Sequence, residues 1–351
     1  MSGRELFDVT VVGGGPTGLY TAFYGGMRDL RVKVLEAQPY LGGKLHAYPE
    51  KVIWDIGGLP PTRGEAVIEY VIGQGLTFEP EVVLGRRVVS IVRDEADGTF
   101  TLGTACGEEH RSRTVILAVG HGVLDPRRLE IEGAERFEVT NLRYTVGSLD
   151  TYRGKRVLIS GGGDTALDWA NAIEPLAASV TLVHRREEFA AHESSVSRMK
   201  ASTVRALTPF EVTELRTRPS GLDGTGDAIS SVLLTHTGTS DRLEVEVDEV
   251  IVNHGYKIDL GFLKDGPFPM RDEHLLVNEH METGVPGVYA AGDVTARDGK
   301  VHLISGGFVE GATALNSAKL YLDPAAEENA FVSSHNERFA EKNKALLNRT
   351  P

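Results

Sequence analysis

The chain has 351 residues, 40 of them glycine and one cysteine, with a formal net charge of −13 at pH 7. At about 150 residues per domain this length predicts two domains, and the acidic balance excludes a general nucleic-acid binder, which carries a basic face. One cysteine excludes an intrachain disulfide framework, a Cys-x-x-Cys redox pair and a cysteine zinc or iron–sulfur site, and no apolar run reaches the ~18 residues of a membrane span.

From the N-terminus, β-forming residues from Phe7 to Val12 run into a glycine cluster. This first strand begins too early to leave room for a signal peptide, so a cytoplasmic location is expected. A helical pattern follows from Pro16 to about Met27, with proline at its opening, where no N–H is needed. The spacing Gly13-x-Gly15-x-x-Gly18 is a dinucleotide fingerprint. Gly13 permits a tight turn, Gly15 lets the backbone approach a pyrophosphate, and Gly18 lets helix pack on strand. Thr17 also lies in this loop–helix junction. The helix N-terminus offers free N–H groups and partial positive charge to phosphate. A second strand, Arg31 to Leu35, ends at Glu36, about where an acid grips a ribose hydroxyl.

Ala37 to Pro61 reads as a long irregular stretch, either a surface loop or a cover for a large planar cofactor. It contains Gly42-Gly43-Lys44-Leu45, Tyr48-Pro49-Glu50-Lys51 and Trp54-Asp55. Thr62-Arg63-Gly64-Glu65 has capping-box spacing before a helix that runs to about Gln74. Strands are expected between Val82 and Leu102, a region that includes Val88, and again from Thr114 to Val119, ending at Gly120. Val123 to Tyr152 reads as a connector.

The opening pattern then repeats. A strand from Arg156 to Ser160 leads into Gly161-x-Gly163-x-x-Ala166, with Asp164 and Thr165 opening a helix that ends near Pro175. The next strand, Val180 to Val183, closes on His184-Arg185-Arg186 where the first repeat has an acid. An acid suits a free ribose hydroxyl, whereas arginine accommodates a 2′-phosphate. The first site therefore suits FAD and the second NADPH. Val247 to Val252 reads as a strand returning to the first domain, and Pro219 to Asp227 as a surface loop. A short strand from Gly287 ends in Gly292-Asp293, an acid able to bond the sugar-like arm of a flavin. A helix from Ser305 to Tyr321 includes Thr313, and a polar tail follows. Cys106 reads as structural, Trp169 as core, and His192-Glu193 as the opening of a helix.

Together, Gly-Gly-Gly-Pro-Thr-Gly-Leu, Gly-Gly-Lys-Leu, Tyr-Pro-Glu-Lys, Gly-Gly-Gly-Asp-Thr-Ala, His-Arg-Arg and Ala-Gly-Asp come in the order seen in thioredoxin-reductase-like flavoproteins. Residues 7–325 resemble most the ferredoxin/flavodoxin–NADP⁺ reductases of that type, through Ala22–Arg28, Leu207–Phe210 and Gly306–Thr313. The resemblance implies an α/β homodimer with two Rossmann-like three-layer dinucleotide-binding domains. The expected boundaries are an FAD domain at 1–121 and 252–351, with an NADPH domain inserted at 122–251. It implies FAD contacts from Gly13, Gly15, Pro16, Thr17, Gly18, Glu36, Gly43, Lys44, Leu45, Tyr48, Asp55, Val88, Gly120, Asp293 and Thr313. Tyr48 matches the tyrosine that stacks on the isoalloxazine. NADPH contacts are implied from Gly161, Gly163, Asp164, Thr165, His184, Arg185 and Arg186. Hydride would pass from NADPH to the flavin and single electrons onward to ferredoxin or flavodoxin, with no metal, membrane or nucleic acid involved.

Four departures from that pattern are visible. Lys44 stands where the family has Gln, and either reaches the flavin's pyrimidine edge or stands in solvent. The loop from Leu45 to Tyr48 is about one residue short, and Ala190 replaces a further Arg. In the tail, ungapped matching puts Val332, beside Phe331, where the family has a flavin-stacking His; His335 serves only with a register shift. Candidate docks for an acidic partner are Arg86-Arg87, Arg127-Arg128, Lys342 and Lys344. The competing expectations are an NADPH-dependent disulfide reductase or diaphorase without its own cysteine pair, and a non-enzymatic flavin redox sensor.

Overall fold

Branched apolar residues alternate along Leu6–Val12 (β1), and both faces of this strand are covered. Val9 and Val11 pack on one face with Ala22, Ala314 and Leu315, while Val12 joins Leu35, Leu117 and Phe100 on the other. That is the pattern of a parallel strand between two layers. Each fully buried Val or Leu of this kind contributes roughly 1.5–3 kcal/mol. The computed structural model describes residues 5–217 and 228–347. The loop expected at Pro219–Asp227 lies outside the described residues.

The chain divides into two units. One comprises Met1–Leu124 and Ile258–Pro351, the other Asp125–Lys257. In the first, β1 leads into helix α1 (Pro16–Met27), then β2 (Val32–Leu35), α2 (Gly64–Gly75), β3 (Glu81–Val83), β4 (Val88–Arg93), β5 (Phe100–Thr104) and β6 (Glu109–Leu117). The sheet order is β3-β2-β1-β6-β5-β4, parallel from β3 to β6 and antiparallel from β6 to β4.

The second unit carries β7 (Arg156–Ser160), α3 (Asp164–Ile173), β8 (Ser179–Val183), α4 (Glu193–Lys200) and β9 (Arg205–Leu207). An antiparallel three-stranded sheet follows, β10 (Phe210–Thr217), β11 (Ile229–His236) and β12 (Arg242–Glu246), and then β13 (Glu249–Val252). The main sheet is parallel, with β13 between Leu142–Arg143 and β7. The strand expected to lead back to the first domain is therefore internal to the second unit. Its run of Val and Ile reads the same in either sheet, and pairing with β7 decides between them. The first unit resumes with β14 (Val288–Ala290), which pairs in parallel with the end of β6, and α5 (Ile304–Leu322), which packs beside α1.

The capping box at Thr62 is not made. Thr62 pairs with Ile53 across a short antiparallel ladder, and its hydroxyl donates to Pro60 O at 2.6 Å. The N–H of Glu65 instead reaches Pro49 O at 2.9 Å, so a tertiary partner takes the place of the local cap. His192 does cap a helix, its Nδ1 accepting the Ser194 N–H at 3.3 Å. Trp169 is core, and Cys106 is exposed in a turn beside Thr104. Among the described residues no helix is long and apolar enough to cross a membrane.

Candidate functional site

Parallel strands all end at the same edge of their sheet. In the first unit β1, β2, β6 and β14 deliver Gly13, Glu36, Gly120 and Gly292-Asp293 to that edge. Open α/β sheets bind ligands at this edge. Gly13 adopts φ +113°, and a Cβ there would sit 2.4 Å from Ala118 O. A Cβ on Gly18 would sit 1.9 Å from Gly13 O, so the helix packs on the strand only without one. Gly15 differs, since the nearest atom to a Cβ there is Gly43 Cα at 3.7 Å. The space beside Gly15, at the N-cap of α1, is open to a ligand.

Glu36 is buried beside this loop, its carboxylate accepting the N–H of Gly14 at 2.6 Å and of Gln38 at 2.7 Å. Burial pushes its carboxyl pKa up, against the backbone N–H groups that pull it down. Gly43–Ala47 forms a short 3-10 turn, joined to the glycine loop by the Gly42 N–H to Gly14 O bond of 2.9 Å. Lys44 is exposed on it, and Leu45 is buried with Leu19 and Leu41. Tyr48 follows, half-buried; burial raises its phenol pKa, and the carboxylates of Asp293 and Asp55 raise it further. Thr17 lies against Gly292 and Gly307. Val88 is core beside Val12 and Leu35, and the Thr313 hydroxyl donates to Val309 O at 3.0 Å within α5.

In the second unit β7, β8 and β13 bring Gly161–Gly163, His184–Arg186 and Asn253–Gly255 to one edge. A Cβ on Gly161 would meet Asn253 O at 2.5 Å, whereas one on Gly163 meets nothing nearer than Ala190 O at 3.8 Å. The third glycine of the first loop is here Ala166, whose methyl is buried in the core. Asp164 opens α3 and accepts the His192 N–H at 2.7 Å, and Thr165 is exposed beside it. His184 Nε2 and Asn253 Oδ1 are buried without hydrogen-bond partners, while Ser160 Oγ and His254 Nε2 lie 2.8 Å apart. Arg185 and Arg186 are exposed, and neither forms an ion pair among the described residues.

Most of the candidate docking cations differ from these two. Arg86 is held by both oxygens of Glu108, Arg128 by Glu138, and Lys344 by Glu341, while Lys342 lies over the Phe78 ring. Arg127 is exposed, its N–H bonded to Gly255 O at 2.9 Å, and Arg87 follows Arg86 before β4. In the tail, Phe331, Val332 and His335 are exposed, whereas Phe339 packs against Phe23 and Phe78.

Sequence reasoning missed three groups at these edges. His121 lies after β6, its Nδ1 3.4 Å from Asp293 Oδ2 but without a hydrogen bond of good geometry. Lys300 and Glu310 form a buried ion pair behind Gly292. His121 meets its partner from a distant part of the chain, and although Glu310 lies within the Gly306–Thr313 motif, its pairing with Lys300 across the turn after Gly292 is not written in that motif.

Four imidazoles carry a pH consequence. His110, His121, His184 and His254 are held below the usual 6.5 by burial first, then by Lys33, Lys44, Arg186 and Arg185 respectively. The unfolded chain takes up these protons near pH 6.5 and the folded chain only lower, so stability is present above that pH and is lost as pH falls. The urea midpoint should therefore drop between pH 7.5 and 5.5, and His254→Asn should make that drop shallower.

Two glycine loops at the ends of parallel strands in two sheets, one closed by an acid and the other by an arginine pair, define a protein built to hold two dinucleotides. Residues 7–314 match the family described as pyridine nucleotide-disulphide oxidoreductase. The chain is 56% identical over 343 residues to Ferredoxin--NADP reductase 1 of Bacillus pumilus (strain SAFR-032), covering 97% of both chains. It is 49% identical over 347 residues to the protein of that name from Shouchella clausii (strain KSM-K16), covering 99% of this chain and 97% of that one. Among solved structures, Lactococcus lactis thioredoxin reductase in its FR conformation matches with a TM-score of 0.71 at 24% identity, over 90% of this chain and 99% of that one. That likeness concerns the fold, a two-domain Rossmann-like one. The chain belongs to the pyridine nucleotide-disulphide oxidoreductase family, among the relatives named ferredoxin–NADP reductases.

Proposed function

We propose that this protein is an FAD-dependent NADPH oxidoreductase that passes electrons to ferredoxin or flavodoxin, working as a cytoplasmic homodimer. The observation that carries the reading is 56% identity sustained over 97% of both chains with a ferredoxin–NADP reductase. The residues fit both cofactors. The open side of Gly15 and the N-terminus of α1 receive the FAD pyrophosphate, and Glu36 receives its ribose. Gly43, Lys44, Leu45, Tyr48, Asp55, Gly120, Asp293 and Thr313 serve the flavin end. The open side of Gly163 receives the NADPH pyrophosphate, and the unpaired Arg185 and Arg186 receive its 2′-phosphate.

Hydride acceptance and single-electron release are the chemistry that FAD would supply when bound, and the protein's residues supply binding and orientation. Lys44 adds a positive charge near the Asp293 edge, where it is felt by His121. With Cys106 as its single cysteine, the chain has no internal dithiol to relay electrons to a disulfide. Trp54, Val309, Phe331 and Val332 carry exposed apolar side chains, and the homodimer reading assigns their cover to a second copy.

The test is anaerobic flavin reduction by NADPH and NADH, followed by ferredoxin, flavodoxin and a panel of small disulfides. Fast bleaching by NADPH and fast reoxidation by ferredoxin or flavodoxin are expected. Reoxidation by disulfides or oxygen alone would reject the acceptor assignment, and no bleaching by NADPH would reject the enzyme.

A further inference from the structure

Glu310 sits in the middle of α5 with only 1% of its side chain exposed, and Lys300 reaches it with 5% exposed. Glu310 Oε2 accepts the Gly292 N–H at 2.8 Å, and Lys300 Nζ donates to Gly292 O at 3.0 Å. One buried ion pair therefore holds both polar groups of a single residue. The pair is itself satisfied. Lys300 Nζ lies 3.0 and 2.9 Å from the two Glu310 oxygens and 2.7 Å from Thr295 Oγ1, and Arg297 Nε donates to Glu310 at 3.3 Å.

A buried ion pair is weak evidence of stabilisation, since well-packed apolar residues often serve as well. What this one supplies is direction. Gly292 turns at φ +78°, and a Cβ there would sit 2.6 Å from Thr17 Oγ1. The turn thus abuts the residue that follows Pro16 in the first glycine loop. The next residue, Asp293, points its half-exposed carboxylate to the edge shared with Tyr48 and His121. Gly307, one turn before Glu310, also lies against Thr17. The pair accordingly locks α5, the Asp293 turn and the start of α1 in one register.

We infer that Lys300 and Glu310 are positioning residues for FAD, fixing the Gly292-Asp293 turn so that Asp293 meets the cofactor's sugar-like arm. The inference rests on the reading of the first unit as the FAD site. Lys300→Met keeps the side-chain stem and leaves Glu310 bonded to Gly292 and Arg297, but removes the ammonium's bond to the Gly292 carbonyl, whose remaining partner is the Thr295 hydroxyl at 2.9 Å. Lys300→Gln keeps a donor.

The measurement is FAD titration of deflavinated protein by fluorescence, with visible circular dichroism of the bound flavin and binding of 2′,5′-ADP as a control for the second unit. Lys300→Met is expected to weaken FAD binding about tenfold and to alter the flavin dichroism, with 2′,5′-ADP binding unchanged. Lys300→Gln should stay within about threefold of the parent, with its dichroism. Parent-like affinity and dichroism in Lys300→Met would overturn the inference. So would a loss in Lys300→Gln as large as that expected of Lys300→Met, a comparison that stands even if the methionine variant does not fold. A parent protein that takes up no flavin would instead reject the underlying FAD reading, before any variant is compared.

Discussion

Replacing Arg185 and Arg186 together by alanine is expected to lower kcat/KM for NADPH about 100-fold while leaving the value for NADH nearly unchanged. Both guanidinium groups stand at the end of β8, exposed and without an acidic partner among the described residues. Several other arginines of the chain are taken up by carboxylates, as Arg86 is by Glu108 and Arg156 by Asp248. An arginine left unpaired at the carboxyl edge of a parallel sheet is available to an incoming phosphate. Charge-assisted bonds to phosphate are about twice as strong as neutral ones, and two of them amount to roughly two decades in affinity. NADH lacks the 2′-phosphate, so it has nothing to lose. Stopped-flow bleaching with each nucleotide reads the ratio directly. An equal loss with both would place these arginines on the shared part of the nucleotide, and no loss with either would remove them from the site. Because both side chains are exposed, the variant should melt within about 2 °C of the parent, which separates a binding effect from a folding one.

The second large effect separates the glycines by what each does. Gly163→Ala is expected to leave thermal stability near the parent value and to weaken NADPH binding about 100-fold. The new methyl meets no protein atom nearer than 3.8 Å, so it occupies the space a pyrophosphate needs. Gly18→Ala is expected to do the reverse. Its methyl would lie 1.9 Å from Gly13 O, a contact that backbone movement alone can relieve. That change should lower the melting temperature by several degrees or abolish soluble expression, whether or not cofactor is supplied. Differential scanning fluorimetry with and without NADPH distinguishes the two. A Gly163→Ala protein that melts early but binds normally would reverse the assignment.

The two fingerprints are local, because a turn, a phosphate approach and a helix start all fall within six residues. Their spacing is therefore written in the chain, and so is the acid at 36 against the arginines at 185 and 186. The helix at Pro16–Met27 and the strand at Arg156–Ser160 lie where the pattern predicts them.

Other features depended on partners far along the chain. The pattern of Val247–Val252 reports burial on both faces but not which sheet provides it, and β7 supplies that answer. Thr62 has the right spacing for a cap, yet strand pairing with Ile53 draws it away. Candidate basic docks looked free as pairs in the sequence, and Glu108 and Glu138 neutralise two of their arginines across turns.

Composition and local spacing set the duplicated α/β architecture, the two glycine loops, the contrast between their closing charges and the absence of a dithiol. These are set by short-range backbone geometry and by composition. Tertiary structure alone decided which arginines are left unpaired, which glycines face open space and how Lys300 and Glu310 grip Gly292. Those depend on which strands end together and which side chains lose water, and neither is encoded at a fixed spacing.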